Sequence, residues 1–273
     1  MKGIMNIGNS CYLNSAIQLL FNCKDLVRLI NEYSPEITNI INEYYNVNVF
    51  NPKIIKNMTG KINKIFLNNE QQDSFEFIVY FLDMIDKTTP TTFHNELYKQ
   101  FGIECTTDIK CVMMTCLHVS NHKDTELFLQ LPITSDLSDS YRKYKATEIL
   151  NKKNMYFCDN CKTHTIARKQ LLTSKWPNNL IIVLKRFDNN MKKNNMAINI
   201  PLRWRHNYCL QGGIIHSGSY NSGHYIYYGH DKNNWYEAND SHISIIENIN
   251  DYMNNAGCYS YIILYKKLNS ILL

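Results

Sequence analysis

Apolar residues at helical spacing open the chain. Ala16, Ile17, Leu20 and Phe21 recur on one side directly after Cys11, and this spacing predicts a helix over residues 11–23. Ser34-Pro35-Glu36 reads as a second helix start, with a capping serine, proline at the first helical position and an early acid. Ile37, Ile40, Ile41 and Tyr44 supply its apolar face. A third helix is expected over 72–86, with Phe75, Ile78, Val79, Leu82 and Ile85 on one side. After about residue 100 the period changes. Short apolar or alternating runs predict strands over 125–131, 166–172, 180–187, 214–217, 225–229 and 259–265. Helices first and strands afterwards describe an α+β chain. No internal repeat is visible, and the polar run Asp188 to Asn195 reads as a mobile loop.

Composition narrows the function classes. A chain of 273 residues is one compact unit with subdomains rather than several domains. A chain of this size buries about 70–75% of its unfolded surface. The net charge of +5 is mild, and the lysines are scattered, with only short pairs such as Lys152-Lys153 and Lys192-Lys193. No basic stripe for nucleic acid emerges. No apolar run approaches the length of about 18 residues that a membrane span needs. Cys11 falls too early for a secretory leader, and nine cysteines without one point to a reducing, intracellular compartment, cytoplasm or nucleus.

The candidate chemistry centres on Cys11. It sits between the Gly/Asn-rich turn Gly8-Asn9-Ser10 and the first helix. A thiol at a helix N-terminus feels the partial positive charge of the unpaired N–H groups, which favours the nucleophilic thiolate. A base is offered far along the chain, where His224 lies in Tyr220-Asn221-Ser222-Gly223-His224-Tyr225 ahead of a strand. Gly223 would let another backbone approach the imidazole. The turn-like run Trp235-Tyr236-Glu237-Ala238-Asn239-Asp240-Ser241 follows. Asn239 or Asp240 can orient the imidazole, completing a nucleophile, base and orienting group.

These segments resemble the ubiquitin-specific proteases. Gly3 to Phe21 is similar to that family's cysteine box, and Tyr208 to Ser244 to its histidine box. Gln71-Gln72-Asp73-Ser74-Phe75-Glu76-Phe77 resembles its Gln-Gln-Asp segment. Leu180 to Phe187 resembles the strand before its active-site loops, and Cys258 to Tyr265 its closing strand. The landmarks come in family order and span residues 3 to 265. The resemblance implies a papain-like fold: a helical thumb over about 1–100, fingers over about 101–175 and a palm over about 176–273. It implies a minimal, monomeric catalytic domain that acts on ubiquitin and ubiquitinated proteins. Hydrolysis after the terminal glycine of ubiquitin would run through a Cys11 acyl-enzyme. His224 would be the base, Asn6 an oxyanion donor, and Asn239 the third triad member, with Asp240 as the alternative or a helper. Gln71, Asp73, Phe187, Gly223 and Tyr225 would hold the ubiquitin tail, Asp73 by pairing with a tail arginine. A protease for another modifier ending in Gly-Gly and an inactive ubiquitin-binding adaptor are the competing readings.

The resemblance also implies a zinc ribbon in the fingers. Cys158-Asp159-Asn160-Cys161 has C-x2-C spacing, but Cys111 and Cys116 are C-x4-C, with Cys111 two residues out of place. Two readings follow: a four-thiolate structural zinc on Cys111, Cys116, Cys158 and Cys161, or a relic ribbon without metal. Cys105, His118 and His164 are reserve ligands. No cofactor is expected in the chemistry. Cys23, Cys209 and Cys258 are expected to pack in apolar surroundings, and Trp235 to anchor the turn that carries Asn239.

Overall fold

The computed structural model describes residues 1–188, 190, 192–219 and 222–268. Asn189 and Met191 of the polar run 188–195, and Tyr220 and Asn221 ahead of His224, lie outside the described residues. The first hundred residues fold into the helices Cys11–Asn22 (α1), Lys24–Tyr33 (α2), Pro35–Asn46 (α3), Lys53–Ile62 (α4), Ser74–Thr88 (α5) and Thr91–Phe101 (α6). The short strands Gly3–Ile4 (β1) and Val49–Phe50 (β2) pair in parallel beside them.

α1 is buried from Cys11 to Phe21, all the way round. A helix with no wet face is a central element rather than a surface one. The Tyr12 ring packs on Phe66 and Phe77, and Phe21 on Tyr44 and Phe81. α3 buries Ile37, Ile40, Ile41 and Tyr44 as the pattern anticipates, but the Ser34 side chain makes no capping bond, which leaves Pro35 to start the helix. In α5 the buried stripe is Phe77, Ile78, Phe81, Leu82 and Ile85. Val79 lies too far round the helix and is 38% exposed.

The middle of the chain divides between two sheets. Ile103–Cys111 (β3), Val119–Glu126 (β4), Glu148–Leu150 (β6) and Ala167–Lys175 (β9) form a four-stranded sheet in the order β4-β3-β9-β6. Tyr156–Cys158 (β7) and Thr163–Thr165 (β8) form a separate hairpin. Phe128–Leu131 (β5) leaves this group and pairs in parallel with Asn179–Leu184 (β10) of the large sheet. The strand expected over 125–131 is therefore two strands in different sheets, broken at Leu127. Leu137–Tyr144 (α7) also packs with the large sheet, burying Leu137 and Tyr141 there.

The remaining strands are Arg203–Trp204 (β11), Tyr208–Gly218 (β12), Gly223–Asp231 (β13), Asn234–Asn239 (β14), His242–Ile246 (β15) and, after the helix Ile249–Ala256 (α8), Ser260–Lys267 (β16). The eight-stranded sheet runs β15-β14-β13-β12-β16-β10-β5, with β11 on β12. One face buries Ile181, Val183, Ile214, Tyr225, Tyr227, Ile262 and Leu264 against the N-terminal helices. The other buries Leu180, Ile182, Leu184, Tyr228, Ile263 and Tyr265 beneath α7 and α8. Side chains alternate between faces, so a strand covered on both sides reads as an unbroken apolar run. That accounts for Leu180 to Leu184 and Tyr261 to Tyr265 in the sequence. Six helices precede the two main sheets along the chain, whose strand pairs are antiparallel except β5–β10, an α+β arrangement.

Candidate active site

Cys11 is the first residue of α1 and is 3% exposed. The chain reaches it through a tight turn. Gly8 has φ +103°, where a side chain would be strained, and Asn9 has φ +46°, which asparagine tolerates. Asn6 Oδ1 accepts the backbone N–H groups of Gly8 at 3.1 Å and Ser10 at 3.3 Å, closing the turn. Ser10 stands at the N-cap, yet its Oγ accepts from the Ile7 N–H at 2.9 Å instead of from the helix. The first turn of α1 also carries no acid. Its leading N–H groups have no side-chain acceptor, and their positive field falls on Cys11 undiminished.

Across the interface, β13 supplies His224 and the end of β14 supplies Asn239. His224 Nε2 donates to Asn239 Oδ1 at 2.7 Å. With Nε2 committed there, the contact with Cys11 falls to Nδ1. The His224 pKa is raised to about 9, first by hydrogen bonding with Cys11. Burial opposes the rise, while Asn239 and the charges of Cys11 and Asp240 support it. The neighbours of His224 thus favour its imidazolium form beside Cys11.

Asp240 takes a different part from Asn239. It occupies the turn between β14 and β15 with φ +52°. Its Oδ2 accepts from Asn6 Nδ2 at 2.8 Å, and its Oδ1 from Asn14 Nδ2 at 2.7 Å. No hydrogen bond joins it to His224 among the described residues. Of the two residues left open for the third position, Asn239 meets the imidazole. Asp240 instead ties the Asn6 turn and α1 to the large sheet. Asn14 was missed at the sequence level; its signal was a polar residue in an apolar helix, one turn after Cys11. Trp235, on the same strand as Asn239, packs against Tyr228 and His230.

Gln71 ties the two halves together a second time. Its Nε2 donates to the Gly223 carbonyl and its Oε1 accepts the Gly223 N–H, both at 2.7 Å. Gly223 was expected to admit another backbone near the catalytic imidazole. Another backbone does approach, since a Cβ on Gly223 would lie 2.5 Å from the Ser217 carbonyl oxygen, and so does the His216 ring, with Nε2 at 2.1 Å from that Cβ. Asp73 caps α5 through the Glu76 N–H at 2.9 Å and accepts the hydroxyls of Tyr261 at 2.8 Å and Tyr225 at 3.4 Å. Burial nevertheless pushes its pKa up. Asp73, Gln71, Phe187 and Tyr225 line one cleft of about 810 Å³, joined by Glu70, Glu76 and His216. Three carboxylates at its wall suit a basic, extended chain.

A sequence model of the ubiquitin carboxyl-terminal hydrolase family matches residues 2–265. The chain belongs to this family. It is 27% identical to ubiquitin carboxyl-terminal hydrolase 16 of Arabidopsis thaliana, over 88% of this chain and 28% of that protein. It is 25% identical to hydrolase 5 of Saccharomyces cerevisiae, over 88% of this chain and 42% of that protein. With hydrolase 4 of Arabidopsis thaliana it shares 25% identity over 98% of this chain and 93% of the relative. The chain thus spans less than half the length of the first two relatives and nearly all of the third.

The second constellation lies at the tip of the smaller sheet. The Sγ atoms of Cys111, Cys116, Cys158 and Cys161 all fall within 4.8 Å of one another, with Cys116···Cys158 at 3.7 Å and Cys111···Cys161 at 4.0 Å. Tetrahedral zinc with Zn–S of about 2.3 Å places sulfurs about 3.8 Å apart. The thiols are spaced for that ion. The irregular C-x4-C spacing is absorbed locally: the Cys116 N–H bonds back to the Met113 carbonyl, and Met114 projects fully into solvent. Asn160 Nδ2 and the His118 backbone hold the Cys116 pKa down to about 6, while Cys161, facing the other sulfurs, is pushed up to about 12. Four thiols this close could hold a cation between them once deprotonated. Among the described residues, Cys105, His118 and His164 take no part in the cluster. Cys23 is buried, whereas Cys209, on β12, and Cys258, in the turn between α8 and β16, are only half-buried.

Proposed function

We propose that this chain is a thiol-dependent deubiquitinase that cleaves the isopeptide or peptide bond after the terminal glycine of ubiquitin. The observation that carries this reading is the alignment of Cys11, His224 and Asn239 at an uncapped helix N-terminus beside an acid-lined cleft. The Cys11 thiolate attacks the scissile carbonyl. The developing oxyanion is held by the Cys11 N–H and by Asn6 Nδ2, whose other N–H is fixed on Asp240. The imidazolium of His224 gives its Nδ1 proton to the leaving lysine amine. His224 then takes a proton from water, which releases ubiquitin from the acyl-enzyme. Asn239 keeps the imidazole in the required tautomer. Asp73, with Glu70 and Glu76, offers a counter-charge to arginines of the tail. Phe187 and Tyr225 form the walls, and Gln71 and Gly223 form the seam between thumb and palm.

Residues 1–100 act as the thumb and the four-stranded sheet with its cysteine tip as fingers. The large sheet, including Phe128–Leu131, acts as the palm. The four fingertip thiolates hold a structural zinc. With four protein ligands that ion has no open position, so it stabilises the hairpin and takes no part in hydrolysis. No helix among the described residues is long and apolar enough to cross a membrane. None of the nine cysteines forms a disulfide, which suits action inside cells; the chain is read as acting as a monomer. A fluorogenic amide on the C-terminus of ubiquitin tests the reading against the same amide on other modifiers ending in Gly-Gly. Ubiquitin is expected to be preferred at least tenfold in kcat/KM. Preference for another modifier would reassign the substrate, and binding of ubiquitin without turnover would make the chain an adaptor.

A further inference from the structure

The tip of the smaller sheet carries features that hydrolysis does not use. The cysteine cluster takes the interior of the tip, and the apolar residues beside it are left outside. Met114 is 101% exposed and Leu117 85%. Val112, Met113, Phe157 and Ile166 are each between 41% and 50% exposed. They belong to one surface, because the fold joins the two runs that carry them. The Val112 N–H bonds to the Ile166 carbonyl at 3.1 Å, Phe157 directly precedes Cys158, and the thiols bring 111–116 against 158–161. Single exposed apolar side chains are ordinary on a protein surface, but a group of them at one tip, two almost wholly bare, marks an interaction site. Charge gathers at the same place. Lys110, Lys152, Lys153, Lys162 and Arg168 are all exposed here. None of them makes an ion pair among the described residues. Asp159 is the one acid in the runs 110–119 and 151–168. Lysines that look scattered along the sequence are thus collected by the fold around an apolar tip.

We infer that this fingertip is a docking surface for an anionic membrane. The bare apolar side chains enter the boundary between headgroups and acyl chains, and the lysines beside them face the negative charge of the lipids. The choice of basic residue favours a membrane over a protein partner. Lysine is depleted in protein interfaces, where its compact, strongly hydrated ammonium would lose water. A headgroup layer leaves that ammonium hydrated and still attracts it. Methionine and leucine on a protruding turn also need no matching pocket in a fluid layer, and the unbranched methionine adapts its shape freely. Apolar insertion and a basic patch together give reversible attachment, where either alone is marginal. The surface is separate from the Cys11 cleft, and the docking does not depend on the hydrolysis proposed above.

The test is co-sedimentation of the full chain with phosphatidylcholine vesicles, with and without phosphatidylserine. Partition onto the phosphatidylserine vesicles is expected to be at least about tenfold stronger and to weaken as salt is raised. Met114→Ser with Leu117→Ser removes the insertion but no charge, and should lower that partition about tenfold. Lys152→Gln with Lys153→Gln leaves the apolar tip intact, and should lower it about fivefold and flatten its salt dependence. Both double variants should hydrolyse the soluble ubiquitin amide within about twofold of the unsubstituted chain. If one pair does not fold, the other carries the test. No partition onto phosphatidylserine vesicles would overturn the proposal. So would partition that neither pair lowers. A raised KM for the ubiquitin amide with unchanged vesicle binding would also overturn it, and would assign the tip to a protein partner instead.

Discussion

Cys11 stands at the head of α1 with the His224 imidazole for company, whereas Cys111, Cys116, Cys158 and Cys161 crowd within 4.8 Å of each other. At the first site the sulfur is left with a helix N-terminus, no cap and a base that titrates at about 9. No second sulfur shares its lone pair, which leaves it available for attack. At the second site the sulfurs face one another, an arrangement that could hold a metal ion. The same side chain thus becomes a nucleophile or a ligand according to what surrounds it. Isolation beside a proton carrier gives reactivity, and crowding gives a metal cage.

That contrast is broken most sharply by exchanging losses. Cys11→Ala is expected to lower ubiquitin-amide hydrolysis by about six orders of magnitude, the scale seen when a nucleophile is removed, with the zinc content unchanged. Cys158→Ala is expected to do the reverse. Zinc measured by mass spectrometry should fall from one per chain to none, and the midpoint should drop by several degrees, while Cys11 alkylation persists. Zinc stoichiometry unaffected by Cys158→Ala would remove the metal cage from the account.

Next in size is Asn6→Ala. If Asn6 Nδ2 holds the oxyanion, kcat falls about 10²- to 10³-fold with KM little changed. A change in KM alone would make Asn6 a mere turn-former. The smallest effect is on titration. The His224 pKa is raised from 6.5 to about 9, chiefly by Cys11. Stabilisation from this pair is fully present below about 6.5 and is lost as pH rises through about 9. In Cys11→Ser the His224 resonances followed by NMR should titrate at lower pH, back toward the ordinary histidine value. The difference in melting temperature between this variant and the unsubstituted chain should shrink above pH 9.

The sequence made Cys11, His224 and Asn239 legible because each sits in a local pattern: a Gly/Asn turn before an apolar helix, a glycine before a strand, a polar turn after one. The division of labour between Asn239 and Asp240 was not legible. Adjacent residues at the end of a strand point to different neighbours, and Asp240 finds Asn6 and Asn14 more than 220 positions away. The Gln71–Gly223 clamp spans 152 positions and is equally invisible to local pattern. The four cysteines were visible as types. Only the fold shows that the extra residues at Met113 and Met114 bulge outward and let Cys111 reach the other three. The stretch 125–131 misled because one apolar-alternating run serves two sheets, and composition does not mark where it breaks.

The most direct test of the central claim is the intact mass of the protein after incubation with ubiquitin bearing a thiol-reactive group at its C-terminus. One covalent adduct is expected, absent in Cys11→Ala and unaffected by blocking exposed thiols elsewhere. Folded protein that forms no adduct, or forms one that survives Cys11→Ala, would contradict it.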